Sequence, residues 1–139
     1  MKPVQAVIDT NVLYSGLFSA NGASYRLLRH VETGRLIPIL STTLLYEYEE
    51  VLIRHRTVLG LTSETIDDVL DGLCKCGESK SIHFLWRPQL PDPKDDHILE
   101  LAVAAGCVPV VTHNSRDFGP AGIFGVRIVA PAAMLKELK

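Results

Sequence analysis

Apolar positions along the chain follow two periods. Short aliphatic runs at Val4–Asp9, "RLIPILS" from Arg35, Val108–Thr112 and "GVRIVAP" from Gly125 have the length and β-branched content of buried strands. Between them, apolar residues recur every three or four positions, the spacing of one helix face. One helix begins near Ser24 and runs through Tyr25, Leu27, Leu28 and Val31, with Gly34 as its stop. A second, capped by Ser41 or Thr42, runs to about His55, and a third starts at Ser63 and carries Ile66, Val69, Leu70 and Leu73. A fourth covers about Asp95 to Ala105, and a last one begins at Pro131. "SIHFLW", from Ser81, reads as strand or loop because "RPQLPDP" follows it. Pro38 inside the second run favours an edge strand or an irregular pairing. Strands alternating with helices predict an α/β fold with a mainly parallel central sheet.

Composition narrows this picture. A chain of 139 residues with 47% hydrophobic content suits one domain, residues 1–139, around a single core. The opening "MKPVQAVIDT" lacks the long apolar stretch of a signal peptide, and no run is long enough to span a bilayer. The expectation is a soluble, cytoplasmic protein with no membrane partner. Three cysteines cannot pair completely, which suits a reducing compartment. Cys74 and Cys76 with His83 lack the second ligand pair of a zinc site. A formal charge of −2 excludes a broadly basic nucleic-acid coat and leaves local clusters such as Arg54, His55 and Arg56 to meet a phosphate.

The candidate chemistry lies in the acids. In a parallel α/β sheet, reacting groups gather beyond the C-terminal ends of the strands. Asp9 ends the first run and is followed by Thr10 and Asn11, so its carboxylate is either a site group or a simple cap. At about 100° per residue, Leu44, Leu45, Tyr48, Val51, Leu52 and His55 form one arc of the second helix. Glu47 lies at the border of that arc, and Glu49 and Glu50 point away. On the fourth helix the same wheel puts Asp95 near the centre of the arc of Ile98, Leu99, Ala102 and Val103, with Asp96 at its edge. An inward acid is costly unless backbone N–H groups or a cation compensate it. A strand Val108–Thr112 beside the first one brings Thr112, Asn114 and Asp117 towards Asp9. Asn114 is neutral and can orient water, whereas Asp117 adds charge. Several carboxylates at one edge repel each other without a counter-ion, and Mg²⁺ or Mn²⁺ is the simplest compensation.

An aspartyl phosphotransferase or receiver-like module is a different use of Asp9. Asn11 stands where such sites commonly want a second acid, and no lysine follows "GVRIVA". The ordered set "VIDTNVL", "STTLLYEYEEVL", "DPKDDHILELA", "VVTHNSRDF" and "GVRIVAPAAML" instead resembles the PIN-domain ribonucleases of the VapC-like toxin family, over nearly the whole length. The resemblance implies a three-layer α/β/α fold and metal-dependent hydrolysis of RNA phosphodiester bonds. Carried over, the catalytic acids are Asp9, Glu47, Asp95 and one acid in the "THNSRDF" turn. Many relatives have aspartate where this chain has Asn114; others keep the charge three residues later, which assigns the fourth acid to Asp117. Asp96 is a reserve for Asp95. Asp9, Asp95 and Asp117 are the implied metal ligands, with Thr10, Asn11, Thr112 and Asn114 supporting them. Arg54, Lys94 and Arg116 are candidates to hold the RNA backbone. The resemblance also implies an antitoxin protein and a homodimer. A non-enzymatic PIN-like scaffold is the alternative.

Overall fold

The computed structural model describes residues 2–82, 90 and 92–138. Five strands, β1 (Val4–Ile8), β2 (Leu36–Leu40), β3 (Glu78–Ser79), β4 (Val110–Val111) and β5 (Ile128–Val129), form one parallel sheet in the order β3-β2-β1-β4-β5. Around it are α1 (Thr10–Phe18), α2 (Ala23–Glu32), α3 (Thr42–Arg54), α4 (Arg56–Leu59), α5 (Ser63–Cys76), α6 (Asp96–Ala104) and α7 (Pro131–Glu137), giving a three-layer α/β/α architecture. Val7 pairs with Val110 and Ile8 with Val111, so β1 and β4 end together. The strand order reverses between them: the chain leaves β1 towards β2 on one side and returns to β4 on the other. That reversal opens a crevice at the carboxyl ends of β1 and β4.

Ala6, Val7 and Ile8 are all buried, as a central parallel strand covered on both faces requires. They join Ile39, Leu40, Leu44, Leu52, Ile98, Leu99 and Val111 in one apolar cluster. Helix α6 packs on β1, β2 and β4. No helix among the described residues is long and apolar enough to cross a membrane.

Several expectations shift. The run from Thr10 to Phe18 is a helix that the periodicity hides, because Asn11, Ser15 and Gly16 lower its propensity. Its stability comes from packing: a Cβ on Gly16 would lie 2.5 Å from Leu28 Cδ1, so the glycine lets α1 approach α2 closely. β2 is not an edge strand. It lies between β1 and β3, and β3 pairs only Ile39 and Leu40, so the missing N–H of Pro38 breaks no bond on that side. β4 is shorter than Val108–Thr112, because the chain leaves α6 through Gly106 and Cys107, both at positive φ, and Val108 still bonds back to the Ala102 carbonyl at 3.2 Å. From His83 to Trp86 the expected strand "SIHFLW" falls outside the described residues; Ser81 and Ile82 are not in a strand.

Candidate active site

Asp9 follows the last residue of β1, and its N–H bonds the Val111 carbonyl at 2.9 Å, which fixes it at the crevice. It caps α1: Oδ1 accepts from the Thr10 N–H at 2.8 Å and from the Thr10 hydroxyl at 3.4 Å. Oδ2 accepts from the Thr112 hydroxyl at 2.7 Å and from the Asn11 amide at 3.3 Å. The Thr112 oxygen in turn accepts from the Asn11 amide at 3.2 Å and the Asn114 N–H at 3.0 Å. Asn11 Oδ1 accepts from the His113 N–H at 3.2 Å. The end of β1, the start of α1 and the turn after β4 are thus tied through one carboxylate. Burial raises the Asp9 pKa above its ordinary value, against the bonds from Thr112 and Thr10, and the nearby Glu47 charge adds to the rise.

Asp95 closes a 3-10 turn, Pro93–Asp95, immediately before α6. Its carboxyl is pushed up to about 6, first by burial and then by the charges of Asp9, Asp92, Asp117 and Glu47. Side chains from four separate stretches of sequence therefore share one negative field. Glu47 is half-buried on α3, and its Oε2 meets Nε2 of His97 on α6. Asp117 is half-buried in the 3-10 segment Ser115–Phe124, its N–H bonded to the Asn114 carbonyl at 3.0 Å.

The helical wheel misjudges the two neighbouring aspartates. Because a 3-10 turn precedes α6, the ideal helix cannot be extended back to Asp95. Asp95 is half-exposed, and Asp96 is the buried one, at 2% exposure. Asp96 Oδ1 accepts from the Leu90 N–H at 2.9 Å, tying the segment ahead of the helix to the core. Asn114 is exposed, and its contact to the network is made by its backbone.

Two further residues belong to the site. His97 is buried at 4% and faces Glu47; its signal was a titratable ring two positions beyond Asp95, directly before the apolar pair Ile98 and Leu99. Tyr48 is fully buried, and its hydroxyl donates to the carbonyl of Ile8, one residue before Asp9. Burial and the charges of Asp9 and Glu47 hold its phenol well above the usual range. A cleft of about 510 Å³ opens beside these groups, lined by Thr10, Glu47, Val51, Arg54, Lys94 and His97. A second hollow, of about 430 Å³, follows the turn His113–Asp117 and includes Arg116.

The acids offer hard oxygens whose charges raise the pKa of Asp95, a set that suits Mg²⁺ or Mn²⁺ and not a soft metal. The charge and chemistry fit such an ion. Among the described residues, however, no three His, Cys, Asp or Glu side chains already converge on one point as a ready-made metal cage. Cys74, Cys76 and Cys107 are free thiols, and His83 lies outside the described residues.

No curated protein matches the chain. A family model described as PIN domain matches residues 5–116, a stretch that begins in β1 and ends in the turn after β4, and so contains Asp9, Glu47 and Asp95 but stops one residue short of Asp117. The chain therefore belongs to the PIN-domain family, whose members are generally nucleases.

Proposed function

We propose that this chain, as one domain over residues 1–139, is a metal-dependent endoribonuclease that hydrolyses RNA phosphodiester bonds. The observation that carries the proposal is the field at Asp95: after burial, the charges of Asp9, Asp117 and Glu47, which lie far from it in sequence, and of its neighbour Asp92 all raise its pKa. Such a field is costly to the fold and useful to a nuclease that recruits a cation. Asp9, Asp95 and Asp117 would hold Mg²⁺ or Mn²⁺, which when bound polarises the phosphoryl oxygen and lowers the pKa of water.

The chain's own groups do the positioning. Thr10, Asn11 and Thr112 fix both oxygens of Asp9. Glu47, held against His97 at the cleft, orients the attacking water. Arg54 and Lys94 line the same cleft and hold the phosphate backbone, with Arg116 on the far side of the turn. Asn114 supports the turn through its backbone. Asp96 serves the fold through Leu90.

In Mn²⁺, wild-type protein is expected to cleave single-stranded RNA, and Asp9→Asn and Asp95→Asn are expected to abolish cleavage while keeping the circular-dichroism spectrum. Equal cleavage by all three proteins rejects the proposed site. A second function, a PIN-like binding scaffold, is favoured by Asn114 and by the lack of three converged ligands among the described residues. It predicts RNA or protein binding without cleavage by the wild type.

The biological role proposed is that of a toxin restrained by an antitoxin protein, in a cytoplasmic homodimer. Exposed Phe18, Ile53 and Val58 on α1, α3 and α4 supply apolar surface for such pairing. Expression with and without the genomic neighbour tests the role, and unaffected growth in both cases rejects it.

A further inference from the structure

Between α2 and α7 lies a cavity of about 460 Å³ whose polar lining is Arg26, Arg29 and His30 from one helix and Lys136 from the other, so that all its charged groups are basic. Among the described residues no carboxylate lines it. The acids nearest in sequence are already engaged. Glu32 pairs with Arg29 at 3.1 Å, and Glu137 accepts two bonds from Arg127, at 2.9 and 3.0 Å. In a chain of net charge −2, this clustering is local and is not a sign of general basicity.

The cavity is linked to the carboxylate site. Ala23 lines it, and the next residue, Ser24, is buried with its hydroxyl 2.9 Å from Nε2 of His113. The His113 N–H reaches Asn11, and the Asn11 amide reaches Asp9. From Ala23 to Arg29, α2 descends about 9 Å along the side of the molecule at 1.5 Å per residue. A strand leaving the crevice over His113 has a cationic track before it.

We infer that the α2–α7 cavity is a phosphate-backbone subsite, which holds the RNA strand several nucleotides away from the bond cleaved. The inference rests on the nuclease proposal for the identity of the ligand. The Arg26 guanidinium suits phosphate oxygens and Lys136 adds a point charge from the facing helix, while Arg29, its charge partly offset by Glu32, offers the N–H groups that the ion pair leaves over. The lining offers no Phe, Tyr or Trp ring, and His30 is its one aromatic side chain, so recognition here is chiefly of backbone.

The test is a salt titration of binding, using a 5′-labelled, unstructured 12-nucleotide RNA and Asp95→Asn protein to prevent cleavage. Adding Arg26→Ala and Lys136→Ala is expected to weaken binding at least 10-fold in 50 mM salt. The log–log salt slope is expected to become shallower by about 1 to 1.5, the effect of two lost phosphate contacts on a single strand. Arg26→Lys should restore much of the affinity. All these positions are exposed, and thermal melting confirms that the fold is kept.

An unchanged slope and affinity overturn the subsite. So does a loss of binding confined to a glutamate-rich peptide, which would mark the cavity as a protein-docking surface. The nuclease proposal fails separately: wild type that binds the 12-mer with the cavity-dependent slope but never cleaves it rejects the chemistry and leaves the subsite standing.

Discussion

Asp95 shows how a single residue records the cost of this site. Its carboxyl titrates near 6 in the folded chain, so between about pH 4 and pH 6 the native state binds more protons than the unfolded one. Stability therefore falls as pH rises through that window, and above it the ionised group works against folding. Converted directly, the shift is worth about 3 kcal/mol, but Asp95 is half-exposed and solvent screening reduces this to about 1 kcal/mol. In EDTA, Asp95→Asn should accordingly be more stable than wild type at pH 7.5, by about 1 kcal/mol in urea unfolding. The difference should vanish below pH 4. A variant less stable at pH 7.5 would mean that unrecognised donors already satisfy the carboxylate.

The turn after β4 poses the other residue-scale question. Asp117 contributes to the field at Asp95, whereas Asn114 is neutral and joins the network through its N–H. Asp117→Asn should therefore weaken Mn²⁺ binding by calorimetry about tenfold, and Asn114→Ala by less than threefold. The reverse order rejects Asp117 as a ligand. Much at this scale was legible from the sequence: Asp9 at a strand end and Glu47 at the border of an apolar arc both follow from spacing. The exchange of buried and half-exposed roles between Asp95 and Asp96 did not follow, because one 3-10 turn changes the phase of the helix that comes after it.

Elements were readable where burial is regular and hidden where it is not. α3 and α5 show clear helical spacing and N-caps at Ser41 and Thr62, and both match the pattern closely. α1 does not, because its stability comes from the Asp9 cap and from contact with α2 through Gly16. Close approach also fixes the junction of α5 and β3. A Cβ on Gly77 would lie 2.5 Å from the Pro38 carbonyl oxygen and 2.9 Å from both Leu40 Cδ1 and the Leu73 carbonyl oxygen. Two of these three neighbours are backbone atoms that cannot rotate away, so Gly77→Ala must separate the end of α5 from β2. The expected loss is about 2–3 kcal/mol in urea unfolding. Gly72→Ala is the control: its Cβ meets nothing within 4 Å, and on a helix it should be neutral or slightly stabilising. Equal effects of the two substitutions would remove the close approach as the reason for Gly77.

At the scale of the molecule, the fold brings acids separated by up to about a hundred residues close enough for their charges to act on Asp95, beyond the ends of the central strands. The alternation of strands and helices predicted the sheet, but not which loops share a field; that depends on the strand order placing β4 beside β1. An ion bound there binds the native state alone, because the unfolded chain disperses the acids, so binding adds to stability by mass action. At about 100 times the dissociation constant, the gain is about 2.7 kcal/mol. For a domain of this size that raises the melting temperature by roughly 8–12 °C. Mn²⁺ or Mg²⁺ should produce that rise in wild type at constant ionic strength, EDTA should reverse it, and Asp9→Asn combined with Asp95→Asn should lose most of it. A full rise in the double variant would locate the ion elsewhere on the surface. No rise in wild type would mean that the acids stay apart in solution, and the scaffold function would then be preferred to the nuclease.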